Sequence, residues 1–172
     1  MDPAATPRPS ARFMLGHPAR WLALGFGSGL SPWAPGTVGT LWAWLAFLVF
    51  DRWLGAAGWG LVIGGALALG IWACARTARE LGLADPGAIV WDEVIAFWIV
   101  LWLLMPASVL AQAAAFVLFR YFDAVKPGPV GWTDRRLKSA RGALQGVGII
   151  ADDLVAALCT LLVISVAHFV LQ

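Results

Sequence analysis

The sequence predicts an all-α integral membrane protein, a small helical bundle of about four to five membrane segments. Three observations lead there. Of the 172 residues, 60% are apolar and only 13% are charged, against about 45–50% and about 25% in ordinary soluble domains. Mean hydropathy is +0.79, which also excludes a disordered chain. The charges are gathered into short clusters, leaving long uncharged stretches between them. A net charge of +2 gives no sign of a partner held by phosphate neutralisation, so no nucleic acid is expected.

Residues 1–20 are Pro-rich and basic and are expected to form a flexible N-terminal tail, with residues 21–172 as a single membrane domain. The apolar run at 21–26 is too brief for a signal-peptide core. The first helix is expected over residues 37–50. Residues 55–74 form a 20-residue span, about 30 Å long and enough to cross a bilayer. Residues 94–105 are wholly apolar but would reach only about 18 Å, and residues 107–119 are similarly short. Pro106 marks the turn between them. That pair reads either as a re-entrant hairpin or as two crossings, and both versions leave its ends on one side. Residues 154–171 supply a last span of about 27 Å.

The basic residues set the orientation. With the N-terminus in the cytoplasm, every one of the 12 except Arg52 falls inside, as the positive-inside rule requires. Trp53 and Trp59 are then expected at the outer interface, and Trp21, Trp33, Trp91 and Trp132 at the inner one. Cys74 and Cys159 lie in apolar runs without metal-ligand spacing and read as packing residues.

The acidic residues carry the chemistry. Nine of the 10, all but Asp51, share the cytoplasmic side. Asp92 and Glu93 open the third segment, Asp123 follows the fourth, Asp134 comes next, and Asp152 and Asp153 open the fifth. Acids at helix N-termini can merely complement the macrodipole, and Asp123 can merely pair with Arg120 or Lys126. Doublets at membrane depth in a chain so poor in charge are nonetheless functional candidates. Carboxylates converge only if a cation neutralises them, and oxygen-only ligands favour a hard ion such as Mg²⁺. Zinc is disfavoured, because His17 and His168 are expected on opposite sides of the membrane.

Two further features lie on the same face. The stretch 25–37 is rich in Gly, Pro and hydroxyls, and its Gly27, Ser28, Gly29 and Thr37 can aim backbone N–H groups at an anion. It is neither a Walker loop nor a dinucleotide fingerprint. Arg120, Asp123 and Lys126 can share one helical face, with a carboxylate between two cations. Arg135, Arg136, Lys138 and Arg141 are expected to meet anionic headgroups.

At these residues the sequence resembles the phosphatidylglycerophosphatase A family of bacterial membrane lipid phosphatases. The resemblance rests on Gly27-Ser-Gly-Leu-Ser-Pro-x-x-Pro-Gly-Thr37, Val90-Trp-Asp-Glu93 and Phe119-Arg-x-x-Asp123-x-x-Lys-Pro127. It continues through Asp134-Arg135 to Gly146-x-Gly148-x-x-x-Asp152-Asp153. It implies one membrane phosphatase domain in the bacterial inner membrane, multi-pass, with its active site facing the cytoplasm. The reaction implied is Mg²⁺-dependent hydrolysis of phosphatidylglycerophosphate to phosphatidylglycerol and phosphate. Asp92, Glu93, Asp123, Asp152 and Asp153 would hold one or two Mg²⁺. The loop, Arg120 and Lys126 would take the phosphate, and Asp134 would act as general acid or base. A metal-activated water and a covalent aspartyl-phosphate both remain open. The rival class is a divalent-cation transporter or channel, which would place a carboxylate in mid-span.

Overall fold

The structure, a computed structural model, describes residues 8–137 and 142–170. Lys138 and Arg141, expected at headgroups, lie outside them. The described residues form eight α-helices, a 3-10 turn and their connections, with no strand among them. In order the helices are α1 (Ala11–Leu15), α2 (Pro18–Ala23), α3 (Pro35–Phe50) and α4 (Ala56–Leu81). They continue with α5 (Trp91–Leu104), α6 (Val109–Val125), α7 (Pro129–Leu137) and α8 (Ala143–Val170); the 3-10 turn (Gly25–Leu30) precedes α3.

Local chemistry sets the ends. Pro35 opens α3 at a position where its missing N–H costs nothing. Gly82 closes α4 in the left-handed region at φ 69°, with its N–H on the carbonyls of Ala78 and Arg79. α5 stops before Pro106. The Ser108 hydroxyl caps α6 by accepting from Ala111 N–H at 3.2 Å.

α5 is the axis of the bundle. It is apolar on every side after its first turn and packs against α3, α4, α6 and α8, as a helix without a polar face must. Val94, Ile95, Ala96, Phe97, Val100 and Leu101 are fully buried. The surrounding helices turn large apolar side chains outward instead: Leu61 on α4, Leu110 on α6 and Phe169 on α8 are 80%, 80% and 83% exposed. An apolar belt of that kind needs a lipid or protein partner.

Two helices, Ala56–Leu81 and Leu144–Val170, are long and apolar enough to cross a membrane. Two segments thus meet the length of a span where four to five are expected from sequence, and α3 is a shorter apolar helix. α3, α5 and α6 have 16, 14 and 17 residues, or about 24, 21 and 26 Å.

Three expectations change. Within residues 1–20, expected as a flexible tail, α1 and the first half of α2 are helical, Ala19 is fully buried, and Arg20 pairs with Glu80 at 2.6 Å. Trp59 and Trp91, expected at the interfaces, are core residues. Trp59 stacks on Phe47 with centroids 4.2 Å apart and donates to Asp51 at 2.9 Å, while Trp91 donates to the Ala66 carbonyl at 3.1 Å. Each buried indole thus has an acceptor. The last span does not begin after Asp153: α8 starts at Ala143.

Candidate active site

Five elements converge at one end of the bundle. The first turn of α5 supplies Asp92 and Glu93. α8 supplies Asp152 and Asp153, which lie well inside the helix and not in its first turn. Macrodipole compensation can therefore explain Asp92 and Glu93 but not the second doublet. The end of α6 brings Arg120 and Asp123, α7 brings Asp134, and the start of α3 brings Gly36 and Thr37.

Asp92, Glu93 and Asp153 can each turn one carboxylate oxygen to within 4.8 Å of the others. Asp92 and Asp153 are 7% and 3% exposed. Asp92 Oδ1, Glu93 Oε2 and Asp153 Oδ2 are buried without a hydrogen-bond partner. Bare buried carboxylate oxygens at such spacing need a shared proton or a cation between them, and an all-oxygen donor set of this kind fits a hard, oxygen-seeking divalent metal.

The other two acids expected as metal ligands are held by cations of the protein. Arg120 pairs with Asp123, reaches Glu93 Oε1 at 3.6 Å and donates to Thr40 Oγ1 at 3.4 Å. Lys126 bridges Asp134 and Asp152, at 2.7 and 2.5 Å. Sequence spacing put Asp123 between Arg120 and Lys126. The structure separates them, because Lys126 leaves α6 in the left-handed region at φ 50° and reaches across to α7 and α8. Burial pushes the Lys126 ammonium down, but its two carboxylate partners more than offset this and hold it above the usual lysine range.

The glycine-rich stretch is divided in the same way. Ser28 donates its hydroxyl to the Gly25 carbonyl at 2.8 Å. Gly27 takes φ 107° beside Met14, and a Cβ on Gly29 would strike the Ala88 carbonyl. Gly27, Ser28 and Gly29 thus shape the 3-10 turn and seat it on the turn that leads into α5. The start of α3 is what touches the charged group. A Cβ on Gly36 would strike Glu93 Oε1 and come within 3.1 Å of both Arg120 terminal nitrogens. The α3 ladder begins with Val38 N–H on Ala34 C=O at 3.1 Å, so the amides of Gly36 and Thr37 precede it. No side chain caps them.

Sequence alone assigns no individual role to four contributors. Gly36 was read only as part of the loop, although a glycine in a helix's first turn is the available signal for close approach. Thr40 ties Arg120 to α3, donating to the Gly36 carbonyl at 2.8 Å; its signal is a lone hydroxyl one turn after Gly36. Asp85 lines a small cleft with Asp134 and Asp152, and nothing local in the sequence marks it. Gly146 lets α8 touch α4 closely, since a Cβ there would strike the Ile71 carbonyl.

Comparison with known proteins accords with this geometry. The family model described as phosphatidylglycerophosphatase A matches residues 21–168. The chain is 40% identical over 151 residues to phosphatidylglycerophosphatase A of Escherichia coli strain K12, covering 85% of this chain and 81% of that one. It is 36% identical over 156 residues to phosphatidylglycerophosphatase A of Haemophilus influenzae, covering 91% and 92%. A Bacteroides thetaiotaomicron protein provisionally named phosphatidylinositol-3-phosphatase is 39% identical over 161 residues, covering 87% and 93%. No solved structure matches the chain. With four-fifths or more of each chain aligned and the family model spanning both acidic doublets, the chain belongs to the phosphatidylglycerophosphatase A family.

Proposed function

We propose that the protein hydrolyses the phosphomonoester of phosphatidylglycerophosphate, releasing phosphatidylglycerol and phosphate, at the convergence of α3, α5, α6 and α8. The observation that carries this is the juxtaposition of three carboxylates, each with one bare buried oxygen, with an uncapped helix start and an arginine. Asp92, Glu93 and Asp153 are the residues that would hold Mg²⁺, with Asp123 and Asp152 beside them. The ion supplies Lewis-acid polarisation of phosphate oxygens and a counter-charge to the carboxylates. The Gly36 and Thr37 amides and the Arg120 guanidinium bind the phosphate and meet charge as it develops on the equatorial oxygens. Thr40 orients Arg120 for that task. Asp134, outside the three-carboxylate group, is the residue assigned to move a proton, and Lys126 fixes it relative to Asp152.

In this reading the chain is a multi-pass protein of the bacterial inner membrane with the site on the cytoplasmic side, where Arg76, Arg79, Arg135 and Arg136 also lie. The carboxylates gather at one end of the bundle and do not form a path along it, which favours an enzyme over a cation channel. The test is phosphate release by the purified protein from phosphatidylglycerophosphate, phosphatidylinositol 3-phosphate and phosphatidic acid presented in identical micelles. Preferential turnover of phosphatidylglycerophosphate is expected. Faster turnover of the inositol lipid would reassign the substrate, and release from none of the three would overturn the reading.

A further inference from the structure

One side of α4 is left uncovered beside the site. Between α1, α2, the 3-10 turn and α4 lies a groove of about 630 Å³ whose walls include Leu15, Trp21, Phe26, Leu69 and Trp72. This volume lies within the range of about 300–1,000 Å³ typical of small-molecule pockets. All five of those side chains are large, apolar and more than two-fifths exposed. The groove opens on a helix that is apolar and long enough to cross a membrane, which makes lipid the medium outside it.

Its two ends differ. Along the same face of α4, Leu69 and Trp72 are followed by Arg76 and then Glu80, the i, i+3, i+7 and i+11 spacing of one helical stripe. Arg20 of α2 and Arg76 both pair with the single Glu80, at 2.6 and 3.1 Å, so this end carries a net positive charge. The inner wall leads toward the carboxylates. Phe26 packs edge-on against Trp91 with centroids 6.0 Å apart, Gly70 receives the Trp91 ring, and Asp92 is the next residue.

We propose that this groove holds one acyl chain of the phosphatidyl substrate, with Arg20 and Arg76 facing its anionic glycerophosphate end. The proposal rests on the lipid phosphatase reading and deepens it by naming a subsite. Three features together select an acyl chain over a soluble apolar ligand: apolar walls, an opening to lipid, and an excess of cationic charge at the Arg20–Arg76 end. The groove then adds binding shared by ground state and transition state, holding the lipid with its phosphomonoester toward Gly36, Arg120 and the carboxylates.

The experiment compares dioleoyl and water-soluble dihexanoyl phosphatidylglycerophosphate on wild type, Leu69→Trp, which fills the groove, and Leu61→Trp. Leu61 is 80% exposed on the same helix and is not a wall of the groove. Leu69→Trp is expected to raise KM for the dioleoyl substrate about tenfold while leaving the dihexanoyl KM and both kcat values unchanged; tenfold corresponds to about 1.4 kcal/mol of lost binding. Leu61→Trp is expected to change neither. An unchanged dioleoyl KM, an equal loss on both substrates, or the same loss in Leu61→Trp overturns the proposal. A second readout is independent of turnover: vesicles of phosphatidylglycerol carrying a photoactivatable acyl chain. Labelling concentrated on residues 15–26 and 69–72 supports the groove even if wild type releases no phosphate, and labelling spread evenly over the exposed apolar faces refutes it.

Discussion

At the scale of single residues, the account turns on which carboxylates are bare and which are held. Asp92, Glu93 and Asp153 have unpartnered buried oxygens, whereas Asp123 and Asp152 have Arg120 and Lys126. Asp153→Asn removes one charge from the bare group. Its expected effect is loss of metal-dependent thermal stabilisation together with a fall in kcat of at least about a hundredfold, read by thermal unfolding against added Mg²⁺ and by phosphate release. Gly36→Ala places a methyl group against Glu93 and Arg120. It should lower kcat/KM by about tenfold or more with only a small change in unfolding temperature, since the cost falls on the phosphate-facing groups. Lys126 adds a pH argument. Its ammonium is held above the ordinary lysine value, so the stability it contributes is complete below the unfolded value of about 10.4 and is lost only as pH rises through the higher folded value. The difference in unfolding temperature between wild type and Lys126→Met should therefore be constant from about pH 6 to about pH 9. A difference that shrinks across that window would show that Lys126, or a carboxylate it holds, titrates there.

At the scale of elements, the acidic motifs were legible because charge is so scarce that each doublet stands out of an apolar background. What the sequence left hidden was where helices begin. An apolar run reports the buried or lipid-facing length of a helix, not its polar extension. α4 accordingly runs on to Leu81, past Arg76 and Arg79, while α8 starts at Ala143, so the Asp152-Asp153 doublet interrupts an apolar helix and does not open it. The side chain of Lys126 was equally unreadable: helical spacing paired it with Asp123, and a left-handed C-cap sent it elsewhere. Gly146 was quoted as a motif residue, but its reason, backbone contact of α8 with the Ile71 carbonyl of α4, depends on a partner 75 positions earlier in the chain. Gly146→Val forces those helices apart. A destabilisation of about 1–3 kcal/mol is expected, visible as a lower unfolding temperature in detergent, with activity falling because Asp153 moves relative to Asp92. Unchanged stability would mean that the crossing is not close.

At the scale of the whole molecule, composition alone indicated a helical membrane protein, and the outward apolar belt over a buried α5 is its structural counterpart. Indoles were harder to place. A tryptophan near the end of an apolar run reads as an interface anchor, yet Trp59 and Trp91 have aromatic neighbours and internal acceptors that draw them into the core. Topology gives a direct prediction. α3, at about 24 Å, ends beside Asp51 and Arg52, and α5 and α6 are of similar length. The turn between α5 and α6 should therefore reach the same depth as the end of α3. In a cysteine-free background, Trp53→Cys and Ala107→Cys should react with an impermeant maleimide from outside intact cells, and Ala84→Cys only after permeabilisation. Protection of Ala107→Cys would make the α5–α6 pair a re-entrant hairpin instead. If the buried acidic group is the catalytic centre of a lipid phosphatase, turnover must depend on both the metal and Asp92. Phosphate release from phosphatidylglycerophosphate by chelator-treated protein is followed as Mg²⁺ is restored, with folded Asp92→Asn beside the wild type. Turnover is expected to return with Mg²⁺ in the wild type and to stay near background in the variant; Mg²⁺-restored turnover of equal rate in both would rule out the acidic group as the catalytic centre.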